Sequence, residues 1–353
     1  MRLPILDNVT SAPPAPRIER DERPRELWDS HGRVIRDVRL SLTDRCNFRC
    51  VYCMDPDVTF LRERERMSTD EIVRTARVLV SVGVRRIRLT GGEPMLHPDL
   101  ERIVRGIDAI GFEDVSLTTN GSLGDHGTFE RLKRAGLGRV TFSLDSLRPD
   151  RFESVTRSSY TPEDVLARVE MARRAGLGPV KINAVIVRGF NEDEIVLLAR
   201  LARDEQLDVR FIEFMPLDSG RRWAMEQVVP ADEIIERIDG ALPIEPIGRE
   251  RPSAPATNFR FRSGGDGQVG VIASVTRAFC GACSRLRITA DAKVMPCLFS
   301  RTEHDLMHLL RSDADDDAIA HRLADITWTK QAGHGISSDG FAPPDRGMSA
   351  IGG

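Results

Sequence analysis

A chain of 353 residues, 41% hydrophobic and 30% charged, has the length of about two domains and the composition of a globular protein, which excludes a disordered or fibrous one. Its 51 basic and 54 acidic residues leave a net charge of −3, so bulk electrostatics draw it to neither nucleic acid nor membrane, and any anionic ligand must meet a local basic cluster. No apolar run reaches the ~18 residues of a membrane span, residues 3–6 are too short for a secretory core, and all six cysteines fall in two tight triplets, so a reducing cytoplasmic compartment is expected rather than a disulfide scaffold.

Residues 1–35, with Pro13, Pro14, Pro16 and Pro24, read as a flexible lead-in. Short β-branched runs then recur at 37–42, 86–90, 114–119, 139–143, 180–187 and 208–214, with helical patterns between most of them. The first helix carries its own signals: Ser68 and Glu71 as a capping box, Ile72, Ala76 and Leu79 as an apolar stripe, and Gly83 as its stop. Gly111, Gly136 and Gly176 close later helices, while Thr161-Pro162 and Asn191 open two more. Six such units over 36–216 predict a parallel sheet with right-handed crossovers, in the form of an α/β incomplete (β/α)6 TIM-like barrel. Thr90-Gly91-Gly92-Glu93, Thr119-Asn120, Ser143-Leu144-Asp145 and Glu213-Phe214-Met215 all fall at strand C-terminal ends, the reactive rim of a β/α barrel. No G-x-G-x-x-G follows the first strand, which weighs against a doubly wound dinucleotide fold. From 217 to 267 the pattern dissolves around Pro230, Pro243, Pro246, Pro252 and Pro255. Residues 217–353 are therefore expected to form a smaller module, ending in an amphipathic helix with Ile319, Leu323 and Ile326 inward.

The first triplet, Cys46, Cys50 and Cys53, follows the first strand directly, and the second, Cys280, Cys283 and Cys297, lies in the C-terminal module. Each offers three thiolates and no adjacent fourth ligand. A cubane iron–sulfur cluster held this way keeps one iron open for chemistry. Zinc completed by His97 in the first case, or by His304, His308 or His334 in the second, is the structural alternative. Arg86 and Arg88 share one strand face, as do Arg285 and Arg287, and Arg39, Lys181 and Arg210 sit on the first, fifth and sixth strands. Cations on strands buried on both faces are costly unless paired, so together they point to one anionic ligand.

The run Cys46-Asn47-Phe48-Arg49-Cys50-Val51-Tyr52-Cys53 resembles the signature of radical S-adenosylmethionine (SAM) enzymes, and Gly91-Gly92-Glu93-Pro94 their SAM-binding motif. Two triplets with this second spacing resemble the GTP 3′,8-cyclases of molybdenum cofactor biosynthesis, from Asp37 to the end of the chain. That resemblance implies two [4Fe–4S] clusters and SAM as cofactors. It implies GTP as substrate at Arg39, Arg88, Thr119, Lys181 and Arg285-Leu286-Arg287, with Arg285 and Arg287 as candidates for catalysis. It implies SAM at Tyr52, Gly92, Ser143 and Met215, although Met215 reads equally well as core. It further implies an electron donor, a downstream cyclic pyranopterin monophosphate synthase and a terminal Gly352-Gly353 finger reaching the active site, and it is compatible with a homodimer. His97 stands where the family pattern leads us to expect arginine and is given no role. The remaining alternatives are a peptide-modifying radical SAM enzyme with an auxiliary cluster and a zinc-stabilised nucleic-acid-binding module. The latter needs a basic surface and stacking aromatics, against a net charge of −3 and 5% aromatic residues.

Overall fold

The computed structural model describes residues 24–218, 220–336 and 340–352. Six parallel strands, β1 (Asp37–Ser41), β2 (Arg86–Thr90), β3 (Asp114–Thr119), β4 (Arg139–Ser143), β5 (Lys181–Ile186) and β6 (Asp208–Glu213), form its centre. The helices α1 (Thr69–Ser81), α2 (Leu100–Asp108), α3 (His126–Arg134), α4 (Pro149–Thr156), α5 (Pro162–Arg174) and α6 (Ile195–Asp204) connect them. The predicted signals operate as read. Ser68 Oγ accepts from the Glu71 amide while Glu71 Oε2 accepts from the Ser68 amide, and Ile72, Ala76 and Leu79 are buried. Outward-facing residues such as Leu40, Leu89, Leu117, Phe142 and Phe211 join these helices in one continuous apolar core.

The remainder of the chain extends this sheet. It contributes α7 (Ala231–Ala241), the strands β7 (Ile244–Gly248), β8 (Thr257–Phe261), β9 (Gln268–Ile272), β10 (Arg285–Ile288), β11 (Lys293–Met295) and β12 (His304–Asp305), and the helices α8 (Met307–Leu310), α9 (Asp316–Trp328) and α10 (Met348–Ile351). The sheet runs β12-β11-β10-β1-β2-β3-β4-β5-β6-β9-β8-β7. β10 pairs parallel with β1 and β9 parallel with β6; the outer strands add antiparallel. The partial barrel is thus flanked on both edges by C-terminal strands. In α9, Ile319, Leu323 and Ile326 are buried as expected.

Two sequence expectations are corrected here. Residues 217–267 are not irregular: Pro230 caps α7, where a missing N–H costs nothing, and Pro246 lies in β7, the outermost strand of its edge, where proline is tolerated. The lead-in is ordered from Pro24 onward. Leu27 and Ile35 are buried in the main core, Trp28 bridges Val34, and Arg33 ties this segment to the chain's far end. Its Nε donates to Asp29 Oδ2 at 2.6 Å, and its Nη groups donate to the carbonyls of Cys280 (2.7 Å), Ala332 (2.8 Å) and Gln331 (2.6 Å). Residues 1–23 of the lead-in lie outside the described residues.

Candidate active site

The first cysteine loop leaves the C-terminal end of β1 and is held from two sides. Phe48 is buried against Phe152 and Tyr160, and the Arg49 and Val51 amides donate to the Thr156 and Val155 carbonyls. On the other side Gly92 N donates to Thr43 O and Glu93 N to Arg45 O, both at 2.7 Å. This contact explains the glycine pair: a Cβ on Gly91 would stand 2.5 Å from Thr43 O, and one on Gly92 2.3 Å from Arg45 O. Cys46 Sγ accepts from Phe48 N at 3.4 Å and Asn120 Nδ2 at 3.7 Å. Burial pushes the Cys46 thiol up to about 11 and, with Cys46 nearby, the Cys53 thiol up to about 12. Thiols held protonated in this way ionise readily only beside a cationic partner such as iron.

The second triplet brackets β10 and β11. Cys280 and Cys283 lie in the turn before β10, and Cys297 follows β11. Burial works to raise the Cys283 thiol, yet Arg285 and Lys330 bring it to about 7. Arg285 Nη2 lies 3.5 Å from the Cys283 sulfur, and its guanidinium stacks on Phe279 at 4.8 Å.

Both triplets line one cavity of about 350 Å³ inside the barrel. Among the described residues no three His, Cys, Asp or Glu converge as a single ion requires. A cubane takes each thiolate on a different iron, so the donor set fits a cluster better than zinc.

Register arranges the charges in layers. Asp37 lies opposite Arg86 and Arg285, and Arg39 opposite Arg88 and Arg287. At the strand starts the charges are paired: Arg86 with Asp37 and Arg139 with Asp114, each at 2.6 Å. One layer higher they are not. Arg88 Nη1 donates to the Thr118 and Thr141 hydroxyls, at 3.0 Å each, and Arg39, Arg88 and Arg287 have no ion-pair partner among the described residues; nor has Arg285, although it stands in the Asp37 layer. Burial, then Arg287 and Arg285, push the Arg39 guanidinium well below its ordinary range; burial, then Arg139 and Arg39, do the same to Arg88. A bound polyanion relieves that repulsion.

Residues 40–202 match the model of the radical SAM superfamily and residues 207–336 that of Molybdenum Cofactor Synthesis C. A GTP 3′,8-cyclase of Corynebacterium glutamicum is 44% identical over 340 residues, covering 93% of this chain and 90% of its own. Another, of Streptomyces coelicolor, is 46% identical over 331 residues, covering 93% and 96%. The chain belongs to the GTP 3′,8-cyclase family. Streptococcus suis SuiB bound to the precursor peptide SuiA superposes with a TM-score of 0.63 at 14% identity, over 86% of this chain and 67% of SuiB. At that identity the likeness shows the radical SAM fold alone.

Of the residues expected at the site, the six cysteines, Arg39, Arg88, Thr119, Arg285, Arg287, Tyr52, Gly92, Ser143 and Met215 line this cavity. Leu286 and Lys181 do not. Leu286 alternates to the opposite strand face and is fully buried in the apolar core. Lys181 is 1% exposed and its ammonium is engaged by Glu250 and Asp208. The Thr119 hydroxyl donates to Glu93 Oε1 at 2.8 Å, and it is Thr118 that meets Arg88. Met215 packs with the smaller apolar cluster while also facing the cavity.

Asn183 escaped the sequence reading, whereas Glu93, Thr90 and Asp145 were read at the rim and the C-terminal end at the site, all without their partners. Glu93, buried, also accepts from the Asn120 and Met95 amides, tying β2 to β3; burial raises its carboxyl to about 7. Asp145 accepts from the Tyr52 hydroxyl at 2.5 Å and from Val185 N at 2.8 Å. Asn183 Oδ1 and Thr90 Oγ1, both at the cavity, have no hydrogen-bond partner among the described residues. Asn183 was findable, since it stands two residues from Lys181 on the same strand. The C-terminal segment enters the site: Met348 and Ser349 line it, and Arg287 donates to the Gly352 carbonyl. Gly353 lies outside the described residues.

Proposed function

We propose that this protein converts GTP into (8S)-3′,8-cyclo-7,8-dihydroguanosine 5′-triphosphate, an early step of molybdenum cofactor biosynthesis. The observation that carries this reading is a cavity lined by both cysteine triplets and by four arginines, Arg39, Arg88, Arg285 and Arg287, that have no ion-pair partner among the described residues. When bound, a [4Fe–4S] cluster on Cys46, Cys50 and Cys53 with SAM supplies a 5′-deoxyadenosyl radical, and a second on Cys280, Cys283 and Cys297 offers an open iron to the guanine base.

The chain's own residues bind, orient and protect. Tyr52, Gly92, Ser143 and Met215 surround the SAM position on the first-cluster side, with Asp145 fixing the Tyr52 hydroxyl. Arg39 and Arg88 face the phosphates from the middle layer. Arg285 and Arg287 stand beside the second triplet, where they hold the base and ribose while the C3′–H bond breaks, its hydrogen atom leaving to the 5′-deoxyadenosyl radical, the 3′ carbon bonds to C8 as the C8–N7 double bond opens, and one electron and one proton complete the product. Thr119 serves GTP from the cavity wall, and Leu286, buried in the core, serves only by placing Arg285 and Arg287 on either side of it. Lys181 reaches it only once its carboxylate partner moves. The Gly352 end closes the space beside Arg287 against water.

The protein works in the cytoplasm with an electron donor and passes its product to a cyclic pyranopterin monophosphate synthase. Its working units are a lead-in (1–35), a radical SAM barrel (36–216) and a C-terminal module (217–353).

Anaerobic incubation of the iron-loaded protein with GTP, SAM and a reductant, followed by mass spectrometry, tests the reading. GTP consumption with appearance of the cyclised dihydro product is expected; SAM cleavage with GTP untouched would move the assignment to another radical SAM substrate. The Arg285→Ala variant is expected to cleave SAM but form no cyclised product.

A further inference from the structure

Lys181 sits at the start of β5, 2% exposed in its side chain, yet it is cut off from the cavity that its neighbours line. The group in the way is Glu250, from the loop between β7 and β8. Its Oε1 lies 2.5 Å from Lys181 Nζ and accepts from Arg210 Nη2 at 3.0 Å, so one anionic oxygen is shared by two buried cations. The residue after it, Arg251, reaches Asp37 of β1 at 3.3 Å, and Arg249 stacks on Phe279 at 5.3 Å. The loop therefore crosses the cavity from the β7–β8 edge to β1, latched by ion pairs and the Arg249–Phe279 contact. Glu250 remains 37% exposed while Lys181 is not, and Asp208 backs Lys181 at 3.4 Å from behind. The carboxylate can thus swing away without leaving Lys181 unpaired.

An oxygen held between an ammonium and a guanidinium is the environment of a terminal phosphate oxygen. We propose that Glu250 is an autoinhibitory latch: its carboxylate occupies the seat of the substrate's outermost phosphate at Lys181 and Arg210 and is exchanged for that phosphate on binding. This rests on the reading of GTP as substrate. A chain of three phosphates reaches the seat and must displace Glu250, whereas a diphosphate stops short and leaves it latched. Against burial, which works the other way, Lys181 and Arg210 hold the Glu250 carboxyl at about 2, so the latch is fully charged at neutral pH.

The test compares GTP and GDP binding to the iron-loaded wild type and to Glu250→Gln by equilibrium dialysis, with hydrogen exchange of residues 248–256 in the wild type as a second measurement. Glu250→Gln is expected to bind GTP about tenfold tighter, as losing a competing ion pair of ~1.4 kcal/mol requires, and GDP within about twofold of wild type. GTP, and not GDP, should accelerate exchange in the loop. Equal gains for both nucleotides would reduce Glu250 to a general negative charge and overturn the proposal, as would unchanged or weaker GTP binding. If Glu250→Gln does not fold, the wild-type exchange measurement decides, and a loop unmoved by bound GTP overturns it. Failure of the wild type to bind GTP at all is a different result: it removes the substrate reading, and this proposal with it.

Discussion

The arginines of the middle layer illustrate a conflict between stability and binding. Arg88 is half-buried with only two hydroxyls for partners among the described residues, so replacing it by an apolar residue of similar length removes an uncompensated charge. Arg88→Met is expected to melt no lower than wild type without nucleotide, while its GTP affinity falls by about 100-fold or more; calorimetry and dialysis read the two effects separately. Asp145 gives a pH prediction. Burial raises its carboxyl from 3.8 to about 6 despite the Tyr52 hydrogen bond, with the Cys50 and Cys53 thiols also nearby. A raised acid contributes stability that is complete below 3.8 and lost as pH rises through about 6. The stability advantage of wild type over Asp145→Asn should therefore shrink by up to about 3 kcal/mol across that window and then level off, as thermal melts at stepped pH will read. At this scale the sequence was informative wherever cost was the signal. Arginines on doubly buried strands had to face something anionic, and Arg39, Arg88, Arg285 and Arg287 do face the cavity. It was uninformative where a one-residue offset decides the face, as between Thr118 and Thr119, and where the partner comes from a distant loop, as Glu250 does for Lys181.

Among the elements, the junction between β2 and the first cysteine loop is the most tightly specified. The glycines after β2 belong to the run that resembles a SAM-binding motif, yet the atoms nearest to a Cβ there are backbone carbonyls of residues 43–45, which cannot rotate away. Gly92→Ala is expected to push the loop off the sheet, so that iron and sulfide analysis falls by about one cluster per chain and SAM cleavage is lost, while the second triplet keeps its iron. Strand and helix positions over 36–216 were legible because period, caps and stop glycines agree there. Beyond 217 only the strand that carries Arg285 and Arg287 was legible, because β7 carries its proline at a sheet edge and β11 and β12 are only two or three residues long. Runs that short have no measurable period.

On the scale of the molecule, the N-terminal segment from Pro24 acts as a clasp. Arg33 joins it to the carbonyl of Cys280, within the second triplet, and to that of Ala332 beyond it, and Leu27 fills the main core. Composition hid this, since proline and charge around residues 13–24 dominate the local reading. Leu27→Ala should cost about 2–5 kcal/mol, the usual penalty of a buried leucine cavity, and lower the melting temperature of the whole protein; an unchanged melt would mean the clasp is dispensable. The sheet order has a consequence for how the chain comes into being. β1 is bordered by β10, and Ser284 bonds Asp37 across 247 residues. During synthesis the barrel strands must therefore wait on the ribosome with both edges uncovered until residues 268–288 emerge, a non-local closure that is slow and exposed to aggregation. Cys280, Cys283 and Cys297 flank β10 and β11, at the end of this wait, so the cluster proposed for the second triplet would be among the last parts of the protein to form.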